Sequence, residues 1–290
     1  MRPFDLLLPT TVDDAIALAA QHGDDARWIA GGAMLIALLR ERLLQARALI
    51  SVVDIPTLQG VATSAAGVHI GAATTLRAIE RSAELAQRLP VLAEALRLVG
   101  NVRVRNVATI GGHLAQADIH MDLPPVLMAL DATVGVRGPS GLRRLPVGDL
   151  LVDYYETCLE PDELIVDVDV PSPSPALRGA YRKYCALSPN DWPTVGVAAL
   201  LEPDDGRVRE ARVVVGCVAN RPLRVPSAEA ILRGERLSQA NVGEVARRYA
   251  AAAEPLDDVR GSADYKRTVT EVFVRRTLES AADRAGLEIR

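Results

Sequence analysis

Hydrophobic and polar positions along this chain follow two periods in turn. Near the start, Ala15, Ile16, Ala19 and Ala20 recur at helical spacing. Thr11-Val12-Asp13-Asp14 ahead of them has the spacing of an N-terminal capping box, and Gly23 stands where such a helix should stop. Arg27 to Ala30 reads as a short buried strand, Gly31-Gly32 as a turn, and Met34 to Leu44 as a helix with Leu35, Leu38 and Leu39 on one side. Ala48 to Val53 is a further strand, so residues 1–55 predict a small α/β unit. Val68 to Thr74 predicts a strand ending in a turn. A helical pattern then runs from Thr75, with interruptions, to about Val99, where Gly100-Asn101 breaks it. Val107 to Leu114 holds a second Gly-Gly pair, and Leu127 to Val136 and Leu164 to Val170 read as strands of the same unit.

Pro171-Ser172-Pro173-Ser174-Pro175 is the strongest punctuation in the chain, because three prolines in five residues continue neither a helix nor a central strand. A domain boundary is placed there, a long loop being the other reading. Beyond it lie three β-like runs, Gly179 to Cys185, Thr194 to Leu201 and Val208 to Val218, with Asp204-Asp205-Gly206 as a hairpin signal between the last two. Helical patterns follow at Ser227 to Leu232, Asn241 to Ala253 and Asp264 to Ala285. Strands followed by helices predict an α+β domain.

Composition narrows the function classes. At 290 residues the chain suits two or three packed units. Its 33 Lys+Arg against 37 Asp+Glu leave a net charge of −4, without the basic surplus of a general nucleic-acid binder. No apolar run reaches the roughly 18 residues of a membrane span, and the Leu6-Leu7-Leu8 stretch is too short for a signal peptide. Cys158, Cys185 and Cys217 are widely spaced and form neither a disulfide framework nor a metal knuckle. A cytoplasmic protein is the expectation.

The most informative chemistry is a pair of turns, each read as strand, Gly-Gly, helix. The first is Ile29-Ala30-Gly31-Gly32-Ala33-Met34-Leu35. The second, eighty positions on, is Ala108-Thr109-Ile110-Gly111-Gly112-His113-Leu114. Glycines let a backbone approach a ligand and expose consecutive N–H groups, and a helix start adds partial positive charge. Two such loops facing each other would hold a diphosphate without arginines. Two tight packing turns would look the same in sequence. G-x-G-x-x-G after a strand, the P-loop, H-E-x-x-H and G-x-S-x-G are all absent.

His113, Asp118, His120 and Asp122 form a local polar cluster whose spacing matches no specific metal site. It reads as a polar loop, or as aspartates accepting from ligand hydroxyls. Lys183 shares a strand face with Tyr181 and Cys185. It is either buried and pointed at a ligand between domains or a solvated edge-strand lysine.

These residues carry a resemblance. Ala30-Gly31-Gly32, Ile70-Gly71-Ala72-Ala73-Thr74, Arg105-Asn106-Val107-Ala108-Thr109-Ile110-Gly111-Gly112, Ala117-Asp118 through Asp122-Leu123-Pro124, Lys183 with Asp191, and Ser262-Ala263-Asp264-Tyr265-Lys266-Arg267 stand in order along nearly the whole chain. Together they resemble the FAD-binding medium subunit of molybdenum hydroxylases, the group of carbon monoxide dehydrogenase and xanthine dehydrogenase. The resemblance implies an α+β chain. A PCMH-type FAD-binding domain would span residues 1–175, with subdomains of about 1–58 and 59–175. A C-terminal domain, 176–290, would have a three-stranded antiparallel sheet with helices. It implies non-covalent FAD with its diphosphate between the two Gly-Gly loops, held by Trp28 to Leu35 and by Thr109 to His113. Val99 would lie near the adenine or flavin edge, Asp118 and Asp122 would serve ligand hydroxyls, Ile165 would meet the isoalloxazine through its backbone, and Lys183 would sit near the ring. No side chain of this chain is expected to be catalytic or to bind metal. Partners would be a large molybdopterin subunit and a small subunit carrying [2Fe–2S] clusters, in a dimer of heterotrimers. Ala33 and His113 depart from the family pattern, which usually has Thr, Ser or His at the first position and Asn at the second. The other readings are a free-standing flavin oxidase or dehydrogenase, and a structural subunit that has lost FAD.

Overall fold

The structure is a computed structural model that describes residues 2–188 and 190–290. The N-terminal unit is β1 (Asp5–Leu7), α1 (Val12–His22), β2 (Ala26–Ile29), α2 (Leu35–Arg40) and β3 (Ala48–Ser51), with a parallel sheet in the order β1-β3-β2. Thr11 caps α1 by accepting from Asp14 N at 3.1 Å, and the helix closes on Gly23. β3 is buried at every position because α1 covers it.

The middle unit begins with β4 (Val61–Thr63) and β5 (Gly67–Gly71). Six helices follow: α3 (Leu76–Glu80), α4 (Ala83–Arg88), α5 (Pro90–Leu98), α6 (Val102–Val107), α7 (Ile110–Ala115) and α8 (Leu123–Ala129). Next come β6 (Thr133–Gly138), β7 (Gly141–Pro146), α9 (Val147–Leu150), the small hairpin β8 (Leu151–Asp153) and β9 (Glu156–Thr157), and β10 (Leu164–Pro171). Its antiparallel sheet has the order β4-β5-β10-β6-β7. The interrupted helical pattern from Thr75 resolves into α3, α4 and α5, restarted by Thr75, Ser82 and the Pro90 N-terminus. The run Leu127 to Val136 is a correction: its first part is helix, because Pro124-Pro125 sit in the first turn of α8, and the strand starts at Thr133 only after Asp131 turns at φ +54°. The second glycine turn is also corrected. It follows a helix, α6, and not a strand.

The C-terminal unit is β11 (Arg178–Tyr184), β12 (Val195–Asp204), β13 (Arg207–Gly216), β14 (Leu223–Arg224), α10 (Pro226–Glu229), α11 (Gln239–Ala252) and α12 (Ala263–Ala285). Its antiparallel sheet has four strands, because the two-residue β14 pairs with Val214 and Val215 beside the three expected. Asp205 (φ +46°) and Gly206 (φ +69°) make the hairpin turn. The run Val195 to Leu201 is buried at every position because both faces of this sheet are covered. Val195, Val197, Ala199 and Leu201 pack with α11 and α12, whereas Tyr181, Ala198, Leu200 and Val214 join the core of the middle unit under α5 and α8. This second contact carries Tyr181 and Lys183 of β11 into the space beside α5 and α8. No helix among the described residues is long and apolar enough to cross a membrane.

Candidate functional site

The two glycine turns meet. Leaving β2, the chain turns through Ala30-Gly31-Gly32-Ala33-Met34, with Gly32 at φ +67°, a left-handed conformation that favours glycine. No carbonyl or side chain among the described residues accepts from the N–H groups of Gly31, Gly32, Ala33 or Met34. Successive free amides around a left-handed glycine form a concavity suited to an anion. Gly31 lies against the end of α6, where any Cβ would overlap the Val107 carbonyl. A Cβ on Gly112 would stand 3.6 Å from Ala30 Cβ. Trp28, one turn back, donates through Nε1 to Pro161 O at 3.2 Å and ties this strand to the approach of β10.

The second turn differs from the sequence expectation. Its N–H groups are already engaged: Ile110 donates to Thr74 O (3.1 Å), Gly111 to Ala72 O (2.9 Å), Gly112 to Thr109 Oγ1 (3.1 Å) and His113 to Thr109 O (2.9 Å). Thr109 caps α7, and the segment after β5 takes the remaining donors. Gly112 is exposed, so this turn contributes an open surface, and the free donors belong to the first turn alone.

Behind the turns, α6 is inverted. Val102, Val104 and Val107 are exposed, whereas Arg105 is buried. Arg105 donates to Glu80 Oε2 (2.9 Å), Val99 O (2.9 Å) and Gly100 O (3.2 Å), which fixes the end of α5 and the buried Val99. Ile165 is buried in the same core.

His113 Nε2 is buried with no hydrogen-bond partner. Burial lowers its pKa to about 4, against an upward pull from Asp118. The imidazole is therefore neutral at neutral pH. The polar cluster of the sequence divides in two. Asp118 accepts from His120 N (2.9 Å), His120 Nδ1 (3.0 Å) and the Tyr155 hydroxyl (3.3 Å). Asp122 turns the other way, into the contact between units. Its Oδ1 accepts from the Tyr181 hydroxyl at 2.7 Å and its Oδ2 faces Lys183 Nζ at 3.4 Å. The metal-like grouping among the described residues is elsewhere, at His69, Asp167 and Asp169, where Arg144 already pairs with both carboxylates.

Lys183 is on the edge strand of its sheet but is not solvated: its side chain is only 5% exposed, buried against the middle unit. Its ammonium also donates to Leu98 O (2.6 Å) and Asp191 O (3.2 Å), so three acceptors take it up one residue from Val99. Burial pushes the Asp122 carboxyl up to about 6 despite the pull of Lys183.

The two perturbed groups act on stability with opposite signs. Asp122 is raised, so its contribution is present below its ordinary carboxylate range and lost as pH rises through about 6. His113 is lowered, so its contribution is present above the ordinary histidine range and lost as pH falls through about 4. Between about pH 4 and 6 the slopes oppose. Denaturant midpoints across this range should be flat for the wild-type chain, rise with pH in Asp122→Asn and fall with pH in His113→Asn. Parallel profiles for all three would refute both assignments.

Residues 2–173 match the family described as the FAD binding domain in molybdopterin dehydrogenase, and residues 180–281 match the CO dehydrogenase flavoprotein C-terminal domain. The chain belongs to the molybdopterin dehydrogenase flavoproteins. Among relatives of this flavoprotein, the 6-hydroxypseudooxynicotine dehydrogenase complex subunit alpha of Paenarthrobacter nicotinovorans is 34% identical, covering 98% of this chain and 97% of the relative. The carbon monoxide dehydrogenase medium chain of Hydrogenophaga pseudoflava is also 34% identical, covering 96% of each. A solved structure of carbon monoxide dehydrogenase from Hydrogenophaga pseudoflava superposes with a TM-score of 0.95, at 35% identity and 98% coverage of both chains. The flavoprotein is thus an oxidoreductase-family chain with an FAD-binding domain and an α+β fold.

Its residues fit FAD on two observations: the free amides of Gly31 to Met34 and the unpartnered buried Nε2 of His113. Sequence reasoning missed Tyr181 as the partner of Asp122, Arg105 as the anchor of Val99, and the Val107 carbonyl as the seat of Gly31. The shared face of Tyr181 and Lys183 was the signal for the first. The other two depend on backbone packing that leaves no trace in residue spacing.

Proposed function

We propose that this flavoprotein is the FAD-carrying electron-transfer subunit of a molybdenum hydroxylase complex. Its partners are a large molybdopterin subunit and a small [2Fe–2S] subunit, arranged as a dimer of heterotrimers in the cytoplasm. Electrons arrive from the clusters and leave to an external acceptor, and the non-covalently bound FAD supplies the redox chemistry. The protein contributes position and electrostatics. Gly31 to Met34 offer their amides to the diphosphate, with Trp28 to Leu35 and Thr109 to His113 forming the cradle. His113 donates from Nε2 in place of the family's asparagine. Val99 and the Ile165 backbone border the ring system. Lys183 acts as a fixed positive charge beside it, since its three hydrogen-bond donors are occupied. Asp118 and Asp122 have both carboxylate oxygens engaged, so a ligand hydroxyl reaches either only by displacing a protein donor.

The free, consecutive amides of the first glycine turn are the observation that supports this reading best. Its test is the purified chain: about one FAD per chain, released by acid precipitation, and recovery of molybdopterin- and iron–sulfur-containing partners with it. Flavin that stays with the precipitate would point to a covalent oxidase. A chain that neither holds nor takes up FAD would be a structural subunit.

A further inference from the structure

Tyr181 belongs to β11 of the C-terminal unit, yet its ring is in the core of the middle unit and its hydroxyl ends on Asp122, the residue that opens α8. The hydroxyl donates to Asp122 Oδ1 at 2.7 Å and is fully buried. Space for it is made by Gly196, the residue opposite Lys183 on β12, where a Cβ would lie 2.6 Å from the hydroxyl oxygen. The other carboxylate oxygen of Asp122 faces Lys183 Nζ at 3.4 Å. That distance is too long for a strong charge-assisted bond. The strongest bond to Asp122 therefore comes from the neutral phenol, and Lys183 is held mainly by the Leu98 and Asp191 carbonyls.

We propose that Tyr181 is a positioning residue which keeps Asp122 ionised against Lys183 and so sets how much positive charge the ammonium presents to a bound flavin. This rests on the flavin-carrying role argued above. Donation to a carboxylate favours its charged form. With the phenol in place, Asp122 at neutral pH offsets Lys183. Without it, Asp122 takes up a proton and Lys183 stands uncompensated, which favours an anionic reduced ring over a neutral oxidised one. The groups facing Asp122 are few. Tyr181 and Lys183 come from β11 and Cys185 follows it, Cys217 follows β13, Asp118 lies upstream on its own segment, and Asp191 holds the far side of Lys183. Burial and the neighbouring Asp122 charge raise both Cys217 and Tyr181, so neither ionises at neutral pH. Cys185 is raised as well. Asp122 is thus the group of this set that titrates near neutrality, having been pushed to about 6.

The test uses the full chain loaded with FAD. The ratio of its affinities for reduced and oxidised FAD is measured from pH 5 to pH 8, alongside Tyr181→Phe and Asp122→Asn. Near pH 6.5, Tyr181→Phe should raise the ratio several-fold, because losing the phenol's donation moves Asp122 further up from about 6 and leaves it protonated where the wild type is ionised. At pH 5, where Asp122 is protonated in both, the variant and the wild type should converge. Asp122→Asn should show the raised ratio at every pH. A purely structural role for the phenol would change FAD retention or melting temperature but leave the ratio unmoved, and that result overturns the proposal. An offset in Tyr181→Phe that is the same at pH 5 and near pH 6.5 overturns it too. Should Tyr181→Phe not fold, Asp122→Asn alone decides: a ratio that still falls with rising pH as in the wild type refutes the proposal. If the wild-type chain binds no FAD, it is the electron-transfer reading that fails.

Discussion

Gly31→Ala is expected to empty the chain of flavin and to cost about 3 kcal/mol of stability, the upper part of the range for forced overpacking. The added methyl would occupy the space of the Val107 carbonyl, which is backbone and cannot rotate away. Either the first glycine turn lifts off α6 or α6 shifts, and both displace the amides of Gly31 to Met34. Gly243→Ala, in α11 and outside the cradle, is the control. Its methyl would meet only the end of the Arg247 side chain at 3.4 Å. Flavin absorbance after gel filtration, together with a urea midpoint, separates the two variants. Equal flavin retention in both would show that the junction of the turns is not the cradle.

Lys183→Met should be the most destabilising change in the contact between units, by about 3–5 kcal/mol above neutral pH, because removing one member of a buried pair strands the other. Methionine keeps most of the volume. What is lost is the cation for Asp122 and the donor to the Leu98 and Asp191 carbonyls. Asp122 can shed its charge by protonation, and its pKa is already pushed to about 6. The penalty should therefore shrink as pH falls, leaving at pH 5 mainly the two unsatisfied carbonyls, while at pH 8 the cost of the stranded carboxylate is added. Urea midpoints at the two values check this. A penalty independent of pH would mean that Asp122 is not the group Lys183 compensates.

Both changes act at places where residues distant in sequence meet, and there the reading from sequence alone reached its limit. The turn at Gly31-Gly32 was legible, because a strand-like run ending in two glycines has few other uses. Its neighbour at Gly111-Gly112 was legible as a turn but not as a different kind of turn. Whether its amides were free depended on Ala72, Thr74 and Thr109, only the last of which is local. The run Leu127 to Val136 misled because leucine, methionine and alanine suit a buried helix as well as a buried strand, and Pro124-Pro125 decided for the helix. β12, by contrast, was plain in the sequence as an unbroken apolar run, though not the reason for it. The reason is that α11 and α12 cover one face and α5 and α8 lie across the other.

Local residue order set the succession of elements, the caps and turns that bound them, and the backbone types needed at the glycine turns, because these depend on residues within a few positions of one another. Resemblance along the chain added the cofactor class. Which groups carry charge and which donors are free follows from how distant segments pack. His113 is neutral because it is buried. Asp122 is pushed to about 6 because the packing of β11 buries it, against the downward pull of Lys183 and Tyr181. Burial and partner choice set those properties, and both arise where separate segments pack together.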